Sequence, residues 1–161
     1  MKQLKVYDDF LNPEDYENLR KLMMDDSLLN WNFSDGINMP GDGKYQFCHI
    51  FYHRYQPRSE YWGGLIPMIE RIDPSAIVRI KANLNMRTPE IEEYELHTDV
   101  DDAITSIYYV NTNNGYTRFE DGTKVDSIAN RMLVFDSNMK HAGSSCTDEL
   151  RRCVINFNYY V

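Results

Sequence analysis

Arg152-Cys153-Val154-Ile155-Asn156-Phe157-Asn158-Tyr159 is the stretch that decides the class of this chain. Side chains along a strand alternate between two faces. Cys153, Ile155, Phe157 and Tyr159 share an apolar face, while Arg152, Val154, Asn156 and Asn158 share a polar one. The stretch 78–86 repeats the pattern, with Val78, Ile80, Ala82, Leu84 and Met86 against Arg79, Lys81, Asn83 and Asn85. Two such strands can line one polar cavity if their amide-bearing faces turn inward. An edge strand with a solvated face is the competing reading, and it accounts for Arg79 and Lys81 equally well.

Working outward, segments near 104–111, 116–119 and 131–135 also read as strands, parted by Asn113-Asn114-Gly115 and Asp121-Gly122. Earlier in the chain, Leu4 to Tyr7 is a short strand and Tyr45 to Tyr55 a long aromatic one. Asn12-Pro13 opens a helix, with Asn as cap, Pro in the first turn and Glu14 and Asp15 at the positive end of the dipole. Ser59 to Ile72 is a second helix, kinked or restarted at Pro67. Residues 26–44 form a long Asp-, Asn- and Gly-rich loop around Trp31-Asn32-Phe33, and loops of that length often serve as lids. Twelve Tyr and seven Phe add to the β bias. The expected fold is mostly β with N-terminal helices (α+β), a double-stranded β-helix or jelly-roll core flanked by helices. Its 161 residues suit one domain, with 1–75 as a helical and strand support region and 76–161 as the jelly-roll core carrying the site.

The formal charge of −8 argues against a nucleic-acid partner, which needs clustered Lys and Arg. Cys48, Cys146 and Cys153 cannot all pair within one chain and contain no C-x-x-C, so free thiols in a reducing compartment are expected. Met1-Lys2-Gln3-Leu4-Lys5 lacks an apolar run, and no stretch has the length of a membrane span. The expectation is a cytoplasmic protein with no membrane partner; the sequence does not set its oligomeric state.

Chemistry concentrates in His97-Thr98-Asp99, His141 and Arg152, in that order. His-x-Asp in an extended segment puts an imidazole and a carboxylate on one side, and a distant imidazole completes the 2-His-1-carboxylate set that holds Fe(II) with open positions. Read alone, His97-Thr98-Asp99 is equally a tripeptide on an acidic loop, since Asp101 and Asp102 follow. Arg152 supplies the fork that grips a carboxylate, with Arg151 as rival. His49 and His53 form a lesser metal pair, and Cys146 reads as a plain loop thiol. No G-x-S-x-G, Walker or G-x-G-x-x-G motif occurs.

Together with Ile107-Tyr108-Tyr109-Val110-Asn111, Gly115-Tyr116-Thr117-Arg118-Phe119, Phe135 and His141-Ala142-Gly143, these residues make the stretch from about 76 to 160 resemble Fe(II)/2-oxoglutarate-dependent oxygenases. The resemblance is to the prolyl 4-hydroxylase-like branch, including short stand-alone forms of the phage type. It implies that His97, Asp99 and His141 bind Fe(II) and that Arg152 pairs with the distal carboxylate of 2-oxoglutarate. It further implies that Tyr109 assists the arginine and that Asn83, Asn85 and Asn156 line the cosubstrate pocket. No catalytic residue is implied beyond the metal centre. O2 is the implied cosubstrate and ascorbate a supporting reductant. The implied reaction is hydroxylation of an unactivated C–H bond in a peptide, protein or small molecule, with a peptidyl proline favoured. Residues 26–44 and Arg87 to Tyr94 would wall a peptide groove. The chain departs from the pattern in its short gap from Asp99 to His141, its doubled Arg151-Arg152, and Tyr116 in place of a second glycine. A cupin-type metal-binding jelly roll without oxygenase activity, acting as an isomerase or ligand-binding module, is the alternative; a degenerate oxygenase is a third.

Overall fold

A computed structural model describes residues 4–25 and 29–161. Met1-Lys2-Gln3 and the first part of the long loop, 26–28, lie outside the described residues.

Strand β1 (Lys5–Tyr7) leads into α1 (Pro13–Arg20), where the Asn12 side chain accepts the Asp15 N–H at 2.9 Å, as the cap signal predicts. The helix relaxes into one π-helical turn, Lys21–Asp25. Then come β2 (Asn32–Ser34), inside the long loop, β3 (Gln46–His53) and β4 (Gln56–Pro57). Ser59 caps a 3-10 turn, Glu60–Leu65, and α2 (Ile66–Ile72) starts afresh with Pro67 in its first turn. There the missing N–H costs nothing, so the proline restarts the helix rather than kinking it.

Six strands follow the long β5 (Ala76–Met86): β6 (Ile104–Tyr109), β7 (Tyr116–Phe119), β8 (Lys124–Asp126), β9 (Arg131–Asp136), β10 (His141–Gly143) and β11 (Arg151–Tyr160). All pairings are antiparallel. The major sheet runs β1-β9-β6-β11-β5-β3-β2 with β4 on β3, and the minor sheet runs β10-β7-β8. The fold is a jelly roll of two facing sheets. Strands β1 to β3 join the same sheet as the later ones, so the border at residue 76 is crossed by the continuous β3–β5 ladder.

One core joins Leu19, Met23, Leu65 and Met68 of the helical turns to Phe51, Ile80, Ala82, Cys153, Ile155 and Phe157 on one face of the major sheet. A second, between the sheets, contains Ile107, Tyr109, Phe119, Leu133, Phe135 and Val154. The apolar face of β11 therefore meets the helices. Its other face, Val154 included, turns toward the site.

The strict alternation expected for β5 breaks at its start. The register with β11 slips between Asn158 and Tyr159, so Tyr159 sits opposite Ile77 and Val78 is left unpaired. Ile77, not Val78, packs on the helix-side core. A second slip, between Ile50 and Tyr52 of β3, puts His49 opposite Ala82 and His53 opposite Arg79. The two imidazoles thus face opposite sides and cannot share a metal. His49 is buried and bonded to the Asn30 carbonyl and the Ser59 hydroxyl, both at 2.7 Å.

All three cysteines are free and buried. Cys146, expected as a loop thiol, is fully buried and donates to the Glu149 carbonyl. No helix among the described residues is long and apolar enough to cross a membrane.

The segment from β5 to His97 is fastened along the minor sheet. Ser145 N–H donates to Glu92 O at 2.9 Å, and Tyr94 N–H donates to Gly143 O at 3.0 Å. Beside them the Glu93 carboxylate receives the Tyr116 hydroxyl, Arg118 at 2.8 Å and Lys124 at 3.2 Å. The Tyr116 hydrogen bond, with Lys124 and Arg118, holds the Glu93 carboxyl down at about 2, below its ordinary 4.5. A depressed folded-state value means that this support is complete above pH 4.5 and is lost as pH falls toward 2. Glu93→Gln should therefore lower the melting temperature near neutrality, with the gap to wild type closing between those two values. Because the group is exposed, salt should shrink the gap too. Thermal melts across pH at two ionic strengths check this; a gap that persists unchanged at pH 2 removes the carboxylate's role.

Candidate metal centre

His97 and His141 meet because the backbone pairs them. His97 N–H donates to His141 O at 2.9 Å and His141 N–H returns to His97 O at 3.0 Å, an isolated antiparallel bridge at the first residue of β10. Their rings lie 4.7 Å apart between centroids. Asp99 reaches the same point, with one oxygen 3.7 Å from His97 Nε2 and the other 3.9 Å from His141 Nε2. The three ligand atoms all lie within 4.8 Å of one another.

Hydrogen bonds around the triad orient it for metal. His141 Nδ1 faces the Met139 carbonyl at 3.2 Å, and His97 Nδ1 faces the Glu95 carbonyl at 3.1 Å. Each carbonyl claims a proton at Nδ1, which leaves Nε2 as the metal-facing lone pair. Burial pushes the His141 imidazole down despite Asp99 beside it, so it stays neutral, the form that ligates. Burial works to raise the Asp99 carboxyl, but His141, Arg79, His97 and the Asn158 amide together hold it below its ordinary range. Arg79 Nη2 donates to one Asp99 oxygen and Asn158 Nδ2 to the other, both at 3.3 Å, while Arg79 Nε holds Asn158 Oδ1 at 3.2 Å.

The support of Asp99 by Arg79 and Asn158 is absent from the sequence reading, although both residues stand on the polar faces it identified. A second missed residue is Asn38. Its Oδ1 accepts the Glu95 N–H at 3.1 Å and its Nδ2 donates to the Glu95 carbonyl at 3.1 Å, the same carbonyl that receives the His97 Nδ1 proton, so Asn38 positions His97 through Glu95 rather than by a bond between two donors. The loop carrying it is pinned by Asp42, whose carboxylate accepts from Ile37, Asn38 and Lys44 N–H groups. No short-range signal links positions 59 residues apart. Partners that orient a ligating histidine typically matter about 10-fold or more in metal affinity. Asn38→Ala should weaken Co(II) or Fe(II) binding by about that factor in a metal titration. Unchanged affinity would limit Asn38 to holding the loop.

The triad opens onto a cavity of about 340 Å³ floored by β5 and β11. Arg79, Lys81, Asn83, Asn85, Arg152, Val154 and Asn156 line it from these strands, and Ile37, Asn38 and Tyr94 line it from the loops. Of the two loop segments expected to wall a groove, each therefore contributes. Arg152, rather than Arg151, enters the cavity; Arg151 faces away and donates to the Met24 carbonyl. Arg152 is only 3% exposed, donates to Ser127 Oγ at 2.8 Å and to Thr117 Oγ1 at 3.4 Å, and lies over the Tyr109 ring at 5.6 Å. A Cβ on Gly115 would come within 2.7 Å of the Arg152 stem, so this approach depends on glycine. No carboxylate of the described residues lies within ion-pair distance of Arg152, and burial pushes the guanidinium down. Tyr109 does not line the cavity: its ring lies under the guanidinium and its hydroxyl donates to the same Thr117 oxygen at 2.8 Å.

Asn83, Asn85 and Asn156 all face the cavity. Asn83 Oδ1 receives the Cys48 thiol, and Asn85 donates to Gln46 at 3.4 Å. Asn156 Oδ1 is buried with no hydrogen-bond partner among the described residues. A His, Asp, His donor set and a buried guanidinium without a counter-charge fit a divalent ion with a dicarboxylate beside it, whereas the Asn156 oxygen, an acceptor, calls for a donor that a carboxylate does not supply.

No known family signature matches the chain, and no curated protein matches it in sequence. Solved structures do match. A prolyl hydroxylase from Trichoplax adhaerens, in complex with a hypoxia inducible factor oxygen degradation domain peptide fragment, superposes with a TM-score of 0.72 at 14% identity, covering 98% of this chain and 83% of that one. A prolyl-4-hydroxylase from Pseudomonas putida gives 0.65 at 13% identity, over 100% and 94%. An oxidoreductase of the 2OG-Fe(II) oxygenase family from Burkholderia pseudomallei gives 0.72 at 9% identity, over 98% and 85%. The fold is that of the 2-oxoglutarate oxygenases, prolyl hydroxylases among them.

Proposed function

We propose that this chain is an Fe(II)- and 2-oxoglutarate-dependent dioxygenase that hydroxylates an unactivated C–H bond, with a peptidyl proline as its substrate. The observation that carries the reading is Arg152, a buried cation without an anionic partner in the cavity onto which His97, Asp99 and His141 converge. When bound, the metal and cosubstrate supply an oxidant by coupling O2 to decarboxylation of 2-oxoglutarate to succinate and CO2.

The chain's own residues do the rest. His97, Asp99 and His141 hold the metal on one face, and Arg79 and Asn158 keep the carboxylate aimed. Arg152 receives the distal carboxylate of 2-oxoglutarate, backed by the Tyr109 ring and by Thr117 and Ser127. Asn83, Asn85 and Asn156 offer amides to the rest of the cosubstrate. Ile37, Asn38 and Tyr94 stand where a substrate would enter. The prolyl assignment draws on the fold's likeness to prolyl hydroxylases, one of them solved with a peptide.

Anaerobic addition of Fe(II) and 2-oxoglutarate should produce the visible charge-transfer band of the chelated cosubstrate in wild type and none in His97→Ala. Folded, metal-loaded protein without the band would favour the cupin-type jelly roll. Succinate formation driven by a small metabolite, and by no proline peptide, would sink the prolyl assignment alone.

A further inference from the structure

The cavity is cationic inside an acidic protein. Its lining holds Arg79, Lys81 and Arg152 against one carboxylate, Asp99, while the whole chain carries −8. Two of these cations have evident work: Arg79 is paired with Asp99 at 3.3 Å, and Arg152 waits for a dicarboxylate. A divalent ion and a doubly charged cosubstrate cancel each other, so the lining keeps an excess of two positive charges with both bound. Lys81 makes no ion pair with any carboxylate of the described residues; its neighbours are the Cys48 thiol and the cross-strand residues Asn156 and Ile50. It stands two residues along β5 from Asn83 and two from Arg79, and same-face neighbours on a strand are about 7 Å apart. Lys81 is therefore placed between the cosubstrate amides and the triad, beside Ile50 at the β3 wall.

Resting on the oxygenase reading above, we propose that Lys81 is a substrate-recognition residue and that the substrate presents a carboxylate to it. An ammonium with no carboxylate beside it among the described residues, in a half-enclosed cavity, retains most of the attraction that water would screen at the surface, and charge-assisted hydrogen bonds are the strong ones. The carboxylate can come from an acidic side chain next to the reacting residue of a peptide, or from the free carboxyl group of an amino acid. A neutral peptide leaves Lys81 covered with only the Cys48 thiol, a weak acceptor, as its partner, which is disfavoured. The acidic exterior keeps such anions from binding elsewhere.

The test uses the full chain loaded anaerobically with Fe(II) and 2-oxoglutarate, and calorimetry with two probe pairs. One pair is acetyl-Glu-Pro-N-methylamide and its Gln counterpart; the other is free proline and its N-methylamide. The acid of one pair should bind about tenfold or more tighter than its amide, a preference lost in Lys81→Met and restored in Lys81→Arg. Which pair responds identifies the source of the carboxylate. Equal binding of acid and amide, binding of neither, or a preference that survives in Lys81→Met overturns the proposal. So does a weakening of 2-oxoglutarate itself in Lys81→Met, which would make the lysine a cosubstrate ligand. Absence of the charge-transfer band in wild type would instead overturn the oxygenase reading, so the two failures are told apart.

Discussion

Replacing Arg152 with Met should raise the melting temperature of the ligand-free protein while weakening 2-oxoglutarate binding by about a hundredfold or more. Both effects come from one fact. The guanidinium is 3% exposed and bonded to two hydroxyls, but no carboxylate of the described residues offsets its lost hydration. A buried charge left in that state typically destabilises a fold by a few kcal/mol, and an apolar side chain of similar length relieves it. The methionine would lie on the Tyr109 ring, where sulfur and aromatic pack well. The same substitution removes the bidentate grip on a carboxylate. Wild type should therefore gain more thermal stability from added 2-oxoglutarate than the variant does, because only a bound ligand shifts the equilibrium. Melts with and without 2-oxoglutarate, beside a titration of the charge-transfer band, check all of this. A variant less stable than wild type and equally responsive to 2-oxoglutarate would show that Arg152 is structural.

Asp99→Asn should bring 2-oxoglutarate turnover to background and weaken metal binding by about a hundredfold or more, beyond what the loss of an orienting partner gives. The amide keeps the shape but not the charge, and hard divalent ions select the anionic oxygen. The folded state should lose much less. One Asp99 oxygen faces Arg79 and the other faces the Asn158 amide, so an asparagine can satisfy one donor and must turn its own NH2 toward the other. One such mismatch in a partly buried site costs about 1–3 kcal/mol. A metal titration and a denaturant melt separate the two effects. Metal affinity equal to wild type would exclude Asp99 from the ligand set.

What was legible in the sequence followed the periodicity of strands. The alternation of 152–159 separated the helix-side face from the cavity face, and Asn12, Ser59 and Pro67 marked where helical turns begin. The alternation misled only where a strand gains a residue, at Val78 and Phe51, because a bulge leaves no compositional mark there. Strands β2, β8 and β10, of three residues each, are too short for period two to stand out. Residues whose spacing carries chemistry, His97, Asp99 and His141, could be read as a set. The partners that steer them could not: Asn38 meets Glu95, and Ser127 meets Arg152, only through tertiary closure. Strand phase decides which arginine lines the cavity, since Arg151 shares its face with Cys153 and Arg152 does not.

The last strand of the chain, β11, lies in the middle of the major sheet, hydrogen-bonded to β6 on one side and to β5 on the other. During synthesis, then, β6 and β5 each wait with an open edge. His97, Asp99 and His141 leave the ribosome before the segment that supplies Asn158 and Arg152. A nascent chain stalled at residue 150 would hold all three metal ligands and two half-sheets with nothing to join them. Sequence-distant pairing of this kind folds slowly and exposes edges meanwhile. Deleting Arg151–Tyr160 should thus split the sheet at its centre rather than trim it, and yield aggregate instead of a smaller folded protein.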